Sequence, residues 1–178
     1  MSDFRITSRE RILESYVFDV ERRTVELEGD TFTRDVVVHQ GAVAIVAERP
    51  DGRVALLRQF RATIQQSHLE IPAGTCDVDG EDPLATAQRE LLEEVGATSQ
   101  DWTLVRRFYN SPGWTNQETW VYLAMNCSIA EASPEGPEER MMEVLWLTRE
   151  QVVVLLDSPE PFDGTASIGL YAWLRQVR

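Results

Sequence analysis

The sequence predicts an α+β fold, because β-rich runs stand on both sides of one amphipathic helix and two further helical segments close the chain. The central helix is marked by Asp82 as N-cap, Pro83 at the first helical position and Gly96 as its stop. The flanking runs alternate, or are rich in β-branched and aromatic residues at strand length.

Residues 1–14 are charged and mixed, and read as a short helix or a frayed arm. From Glu14 to His39 the chain alternates around a turn at Glu28-Gly29-Asp30, which predicts antiparallel strands standing before the main domain. GAVAIVAER and RVALLRQFR are two buried-strand runs joined by Pro50-Asp51-Gly52, so a hairpin is the simple connection. After the central helix, Trp102 to Tyr109 reads as a strand, Asn110-Ser111-Pro112-Gly113 as a turn, and ETWVYLAMNCSIA as another strand. Residues 131–140, EASPEGPEER, form an acidic loop rich in Pro and Gly, solvated or mobile. MMEVLWLT is a further strand, Thr148-x-x-Gln151 is a capping box opening a helix to about Asp157, and Ala166, Leu170, Trp173 and Val177 share a stripe of the last helix. No internal repeat is present.

Composition excludes several classes. The 178 residues are 43% hydrophobic and 26% charged, the ordinary globular balance. No run reaches the roughly 18 apolar residues of a spanning helix, and MSDFRITSRER lacks the apolar core of a signal peptide, so no membrane association and a cytoplasmic location are expected. Cys76 and Cys127 are too few and too far apart for a disulfide framework or a zinc site. A net charge of −13 with 17 scattered basic residues argues against nucleic acid as partner. His39 and His68 lack metal-ligand spacing and read as structural. Trp102 and Trp120 read as core residues, whereas Trp114 lies in a loop and either packs or stacks on a ligand ring.

The chemistry concentrates between Glu70 and Ala97, EIPAGTCDVDGEDPLATAQRELLEEVGA. At roughly 100° per residue Glu90, Glu93 and Glu94 share one face of the helix, opposite Leu84, Ala87, Leu91 and Val95. Like charges at this spacing cost a helix about 0.2–0.5 kcal/mol per pair and also oppose the macrodipole in the last turn. A hard divalent cation rationalises them, since Mg²⁺ takes oxygen ligands from one or two carboxylates, water and substrate phosphate.

Gly74, Glu81, Arg89-Glu90-Leu91, Glu93-Glu94 and Gly96-Ala97 together resemble the signature of the Nudix hydrolases, with six residues between Gly74 and Glu81 in place of the usual five. Arg58-Gln59-Phe60-Arg61, Glu70-Ile71-Pro72-Ala73-Gly74 and Ser111-Pro112-Gly113 resemble the ADP-ribose pyrophosphatase branch. The resemblance implies an α/β/α sandwich around a mixed sheet, with residues 1–40 as a strand-rich N-terminal antiparallel sheet exchanged in a homodimer and residues 41–178 as the catalytic domain. It also implies Mg²⁺ (or Mn²⁺)-dependent hydrolysis of ADP-ribose or a related nucleoside diphosphate sugar. Alternatives are another nucleoside diphosphate derivative as substrate, or a non-catalytic ADP-ribose or nucleotide sensor.

Carried onto this chain, Glu90, Glu94 and the Ala73 carbonyl are metal ligands, and Glu93 is a ligand or the base. Gly74 lets the loop approach the phosphates. From residue type, Arg61 is the candidate for gripping a phosphate, or else a surface arginine at a strand end; Glu70 contacts substrate or holds Arg61, and Trp114 either packs or stacks on adenine or ribose. Arg89 is placed to hold Glu93 at i,i+4, and Glu81 either starts the helix facing solvent or plays a direct part. Where the branch carries a catalytic glutamate this chain has Gln117, followed by Glu118. Glutamine accepts no proton from water at neutral pH, so the base is Glu118, Glu93, or Glu138 or Glu139 of the acidic loop.

Overall fold

The computed structural model describes residues 3–129 and 141–176. The expectations for the 131–140 loop, including Glu138 and Glu139, and for Val177 lie outside them. The chain divides into two compact units, Met1–Gly41 with Phe108–Thr119, and Ala42–Arg107 with Trp120–Arg178.

The first unit carries an antiparallel sheet of β1 (Arg5–Glu14), β2 (Asp19–Leu27) and β3 (Asp30–Val38), in that order. The reversal between β2 and β3 falls on Glu28 and Gly29, both at positive φ, where the sequence placed its turn. Strand β1 corrects the reading of residues 1–14 as a helix or frayed arm. Two register shifts, between Ile6 and Ser8 and between Arg11 and Leu13, break its period-two pattern and hide it from a local reading. Cross-strand charge pairs accompany its pairing with β2: Arg5 meets Glu26 at 3.0 Å, and Arg11 meets Asp19 at 3.2 Å.

The second unit is built on β4 (Ala42–Ala47), whose two faces are both covered. Val43, Ile45 and Ala47 join a core with Ala87, Leu91 and Val95 of the central helix. The alternate residue Val46 faces the last helix, α3 (Gly164–Leu174), at Gly169. An unbroken apolar strand between two helices is what the pattern GAVAIVA requires, since both pleat faces must leave water. Around β4 lies a mixed sheet in the order β7 (Ala73–Thr75), β4, β10 (Glu118–Met125), β9 (Asp101–Tyr109). A second sheet has the order β12 (Glu143–Leu147), β5 (Val54–Arg61), β6 (Gln66–Glu70). A short pair, β8 (Ala97–Thr98) and β11 (Ser128–Ile129), completes the strands. This is the expected α+β sandwich.

Helix α1 (Pro83–Glu90) starts as predicted, with the Asp82 carboxylate accepting from Leu84 N–H at 2.8 Å. Helix α2 (Arg149–Leu156) opens on the Thr148–Gln151 capping box, with both reciprocal bonds made. In α3, Ala166, Leu170 and Trp173 are buried as the stripe requires, and Trp173 Nε1 donates to the buried Glu48 carboxylate. No helix among the described residues is long and apolar enough to cross a membrane.

Three sequence expectations change. Strands β4 and β5 do turn at Pro50–Gly52, but they join different sheets and share one bridge, Glu48 to Val54, instead of a hairpin ladder. A turn fixes chain reversal, not the ladder partner. The run from Glu118 breaks at Asn126, at φ 53°, into β10 and β11; Asn tolerates this left-handed geometry. The central helix does not stay α-helical to its stop: Leu91–Val95 is a single π-helical turn ending on left-handed Gly96. Local sequence gives no sign of that turn, whose side chains are held by tertiary contacts described below.

Gly169 shows how tightly α3 is seated. A Cβ there would lie 2.9 Å from Ile71 Cδ1, 3.0 Å from Val46 Cγ2 and 3.3 Å from Val121 Cγ1. Gly169→Val is therefore expected to destabilise the fold by roughly 1–3 kcal/mol. Urea denaturation measures this, and an unchanged midpoint would contradict the packing.

Candidate active site

The site is assembled from one edge of the second unit. Strand β7 lies beside β4, pairing Ala73 with Ala44 and Gly74 with Val43, and α1 packs on both strands. That geometry brings the loop backbone at residues 73–74 against the carboxylate face of the helix.

Contact there is close. A Cβ at Gly74 would stand 2.0 Å from Glu90 Cδ and 2.1 Å from its Oε1, so the absent side chain leaves the volume that the Glu90 carboxyl fills. This contact is a second reason for glycine beside the close approach to phosphates read from the sequence. One residue away, Ala73 N–H donates to Glu94 Oε2 at 2.9 Å. One helix carboxylate is thus bonded to the strand at Ala73 and a second lies against it at Gly74.

Arg89 gathers the third. Its Nη1 donates to Glu90 Oε1 at 2.8 Å and to Glu93 Oε2 at 3.0 Å, the latter being the i,i+4 pair read from sequence. Its Nη2 donates to Glu81 Oε2 at 3.4 Å and lies 3.7 Å from Asp77 Oδ1. Glu81 is mostly buried rather than solvent-facing, and it also accepts from the Thr86 hydroxyl at 2.8 Å. Burial opposes the Arg89 charge, but Glu90, Glu81 and Glu93 outweigh it and raise its pKa above the ordinary arginine range. Sequence reasoning missed Thr86, because a threonine inside a helix carries no signal of its own.

Burial pushes the Glu90 carboxyl up to about 7, with the neighbouring Glu93 charge adding to the shift and Arg89 opposing it. A carboxylate kept out of water on a shared face is a donor waiting for positive charge. Glu90 and Glu94 bring carboxylate oxygens to the backbone at Gly74 and Ala73, and Arg89 ties Glu93 to Glu90. These residues fit a hard divalent cation. Among the described residues no three acidic, His or Cys side chains are grouped closely enough to hold a metal ion, and Arg89 and the Ala73 N–H engage oxygens of Glu90, Glu93 and Glu94.

Arg61 and Glu70 meet in a two-pronged ion pair, Nε to Oε1 at 2.8 Å and Nη2 to Oε2 at 2.5 Å. Of the two roles read for Glu70, holding Arg61 is the one seen. The α3 N-cap Asp163 lies within electrostatic reach of this pair and of His68; burial raises its carboxyl, and its bond to Ala166 N–H works the other way. His68 packs against Phe162 with ring centroids 6.1 Å apart. Trp102 stacks edge-on to Tyr122, and Arg107 lies over Trp120, so both tryptophans serve packing.

The remaining expected residues belong to the first unit. Trp114 is 56% exposed and lines a cleft of about 410 Å³ with Tyr109, Arg23, Arg34 and Val36. Its carbonyl accepts from Val37 N–H at 2.8 Å. Gln117 is fixed through its backbone, donating to Thr115 Oγ1 at 3.1 Å and accepting from Asn110 N–H at 3.1 Å. Glu118 follows as the first residue of β10. His39 is structural, its Nδ1 accepting from Gly41 N–H at 2.9 Å. Both Cys76 and Cys127 are free thiols.

The family model described as the NUDIX domain matches residues 38–167, most of the chain and all of the loop and helix just described. The chain belongs to the NUDIX family. Among its relatives is the ADP-ribose pyrophosphatase of Bacillus subtilis, 35% identical over 96% of this chain and 92% of that protein. The ADP-ribose pyrophosphatase of Mycobacterium tuberculosis is 37% identical over 81% of this chain and 70% of that protein. A crystal structure of an ADP compounds hydrolase superposes with a TM-score of 0.82 at 22% identity, covering 96% of this chain and 92% of that one, and shares the NUDIX fold.

Two outcomes follow from the geometry of Glu90. In Gly74→Ala the nearest atoms to the new Cβ all belong to the Glu90 side chain, which must move aside, so turnover should fall roughly 100-fold, the scale of a 1 Å misplacement, with little change in melting temperature. Wild-type kinetics would contradict the contact. In metal-free protein the raised Glu90 pKa means that protonation favours the fold. Its contribution is complete below about 4.5 and is lost as pH rises through about 7. From pH 5 to pH 8 the wild type should lose stability to urea relative to Glu90→Gln, whereas parallel profiles would show the group is not held out of water.

Proposed function

We propose that this NUDIX protein is a divalent-cation-dependent pyrophosphohydrolase that cleaves ADP-ribose or a related nucleoside diphosphate sugar into AMP and a sugar phosphate. The observation carrying this is the meeting of Glu90 with Gly74 and of Glu94 with Ala73, which sets a carboxylate-bearing helix face on one point of a strand. Its relatives of known name support the substrate class.

Glu90, Glu94 and the Ala73 carbonyl would hold Mg²⁺ (or Mn²⁺), with Glu93 beside them. A cation bound there neutralises pyrophosphate oxygens and lowers the pKa of attacking water. Arg61, oriented by Glu70, offers a planar guanidinium suited to phosphate oxygens. Glu93, held by Arg89, accepts the proton as water oxygen bonds to phosphorus and the bridging P–O bond breaks, since Gln117 accepts none. Glu118 is the second candidate for that role. Trp114, half exposed, offers a ring face for adenine or ribose.

The same reading extends to organisation. Residues 1–40 serve a homodimer, a role supported by Phe4, Ile6, Ile12 and Leu13, whose apolar side chains are exposed along and beside β1. Residues 41–178 form the catalytic domain. Two free thiols accord with a cytoplasmic location, and the acidic charge with a small anionic substrate in place of nucleic acid.

Incubation with ADP-ribose and Mg²⁺ should release AMP and ribose 5-phosphate, resolved by ion-exchange chromatography. No AMP across a panel of nucleotide sugars would reject the activity. Glu94→Gln should lower kcat on the order of 100-fold or more while the protein stays folded. Tight ADP-ribose binding without turnover in Mg²⁺ would instead favour a sensor, the reading that Gln117 motivates.

A further inference from the structure

Thr86 is fully buried on α1, one turn before Arg89. Threonine is a weaker helix former than alanine, and a buried hydroxyl must find a partner. A bond to the carbonyl four residues back would be the ordinary solution, but Asp82 O lies 3.5 Å away. The shorter bond runs out of the helix, 2.8 Å to Glu81 Oε2, the same oxygen that Arg89 Nη2 reaches at 3.4 Å.

Arg89 is thus held at two ends. Nη1 is shared by Glu90 and Glu93, and Nη2 is drawn the other way by Glu81 and, more distantly, Asp77. Its Nε is buried and has no hydrogen-bond partner among the described residues, so the side chain is oriented through its terminal nitrogens alone. How far the guanidinium leans on Glu90 and Glu93 therefore depends on how firmly Glu81 is placed. Thr86 is the neutral donor that places it.

We propose that Thr86 is a positioning residue that tunes cation affinity at the Glu90–Glu93–Glu94 face through Glu81 and Arg89, an inference that rests on the divalent-cation reading above. Without the hydroxyl, Glu81 loses a charge-assisted hydrogen bond and is a poorer counter-charge. Arg89 then shifts toward Glu90 and Glu93, competing for the same oxygens a cation needs and leaving them less preorganised. Both effects weaken cation binding.

The test is Mn²⁺ binding to the full chain without substrate, followed by electron paramagnetic resonance of the free ion. Thr86→Val keeps the shape and removes the donor, Thr86→Ala removes the donor with a smaller side chain, and Thr86→Ser keeps the donor. Val and Ala variants should bind Mn²⁺ about 3- to 10-fold more weakly, within reach of the effects of outer-shell changes at metal sites, and Ser should match wild type. Thermal melting of each variant separates affinity from folding. Lower melting temperature with unchanged Mn²⁺ affinity in the donor-free variants would assign Thr86 to stability and overturn the proposal. Equal weakening in Thr86→Ser would overturn it too, because the hydroxyl would not be the cause. Absence of Mn²⁺ binding in the wild type would instead reject the cation reading itself, and with it this inference.

Discussion

One arginine makes this site physically possible. Within residues 77–94 the chain places Asp77, Glu81, Glu90, Glu93 and Glu94 about one helix face, and the helix macrodipole disfavours the last two. Arg89 sits among them, bonding Glu81, Glu90 and Glu93 and approaching Asp77, while the Ala73 N–H takes Glu94. It leaves a net negative surface, so the arrangement offsets repulsion enough to fold while keeping an attraction for a cation. Burial, with the Glu93 charge adding to it, keeps the Glu90 carboxyl raised in spite of Arg89.

The rest of the second unit serves to hold that face in place. Strand β4 presents Val43, Ile45 and Ala47 to α1 and Val46 to α3, so the functional helix is one side of a sandwich whose other side fixes the sheet. Because β7 pairs with β4 and α1 packs on both, backbone at 73–74 and carboxylates at 90–94 are set by the same core. The π-helical turn at Leu91–Val95 falls where these carboxylates are tied down, as π turns often fall at functional sites.

Much of this was legible from residue types. Asp82, Pro83 and Gly96 bounded the helix, the apolar stripe named its core face, and Thr148-x-x-Gln151 marked the start of the second helix. Arg89 to Glu93 followed from helical spacing. What escaped depends on long-range geometry. The π turn, the close approach of Gly74 to Glu90 and the bond from Thr86 to Glu81 all concern which atoms meet across elements. Strand β1 escaped because its bulges erase the alternation that a strand reading needs, and its cross-strand charge pairs bridge sequence separations that a local pattern does not see.

The proposed cation site joins strand backbone at Ala73 with the helix carboxylates. A crystal of the protein soaked with Mn²⁺, measured for anomalous scattering at the manganese edge, tests it directly. The expected result is a peak bonded to Glu90, Glu94 and the Ala73 carbonyl, with the Glu94 carboxylate released from the Ala73 N–H. A peak that engages none of these three groups, or none in this region at saturating Mn²⁺, would contradict it.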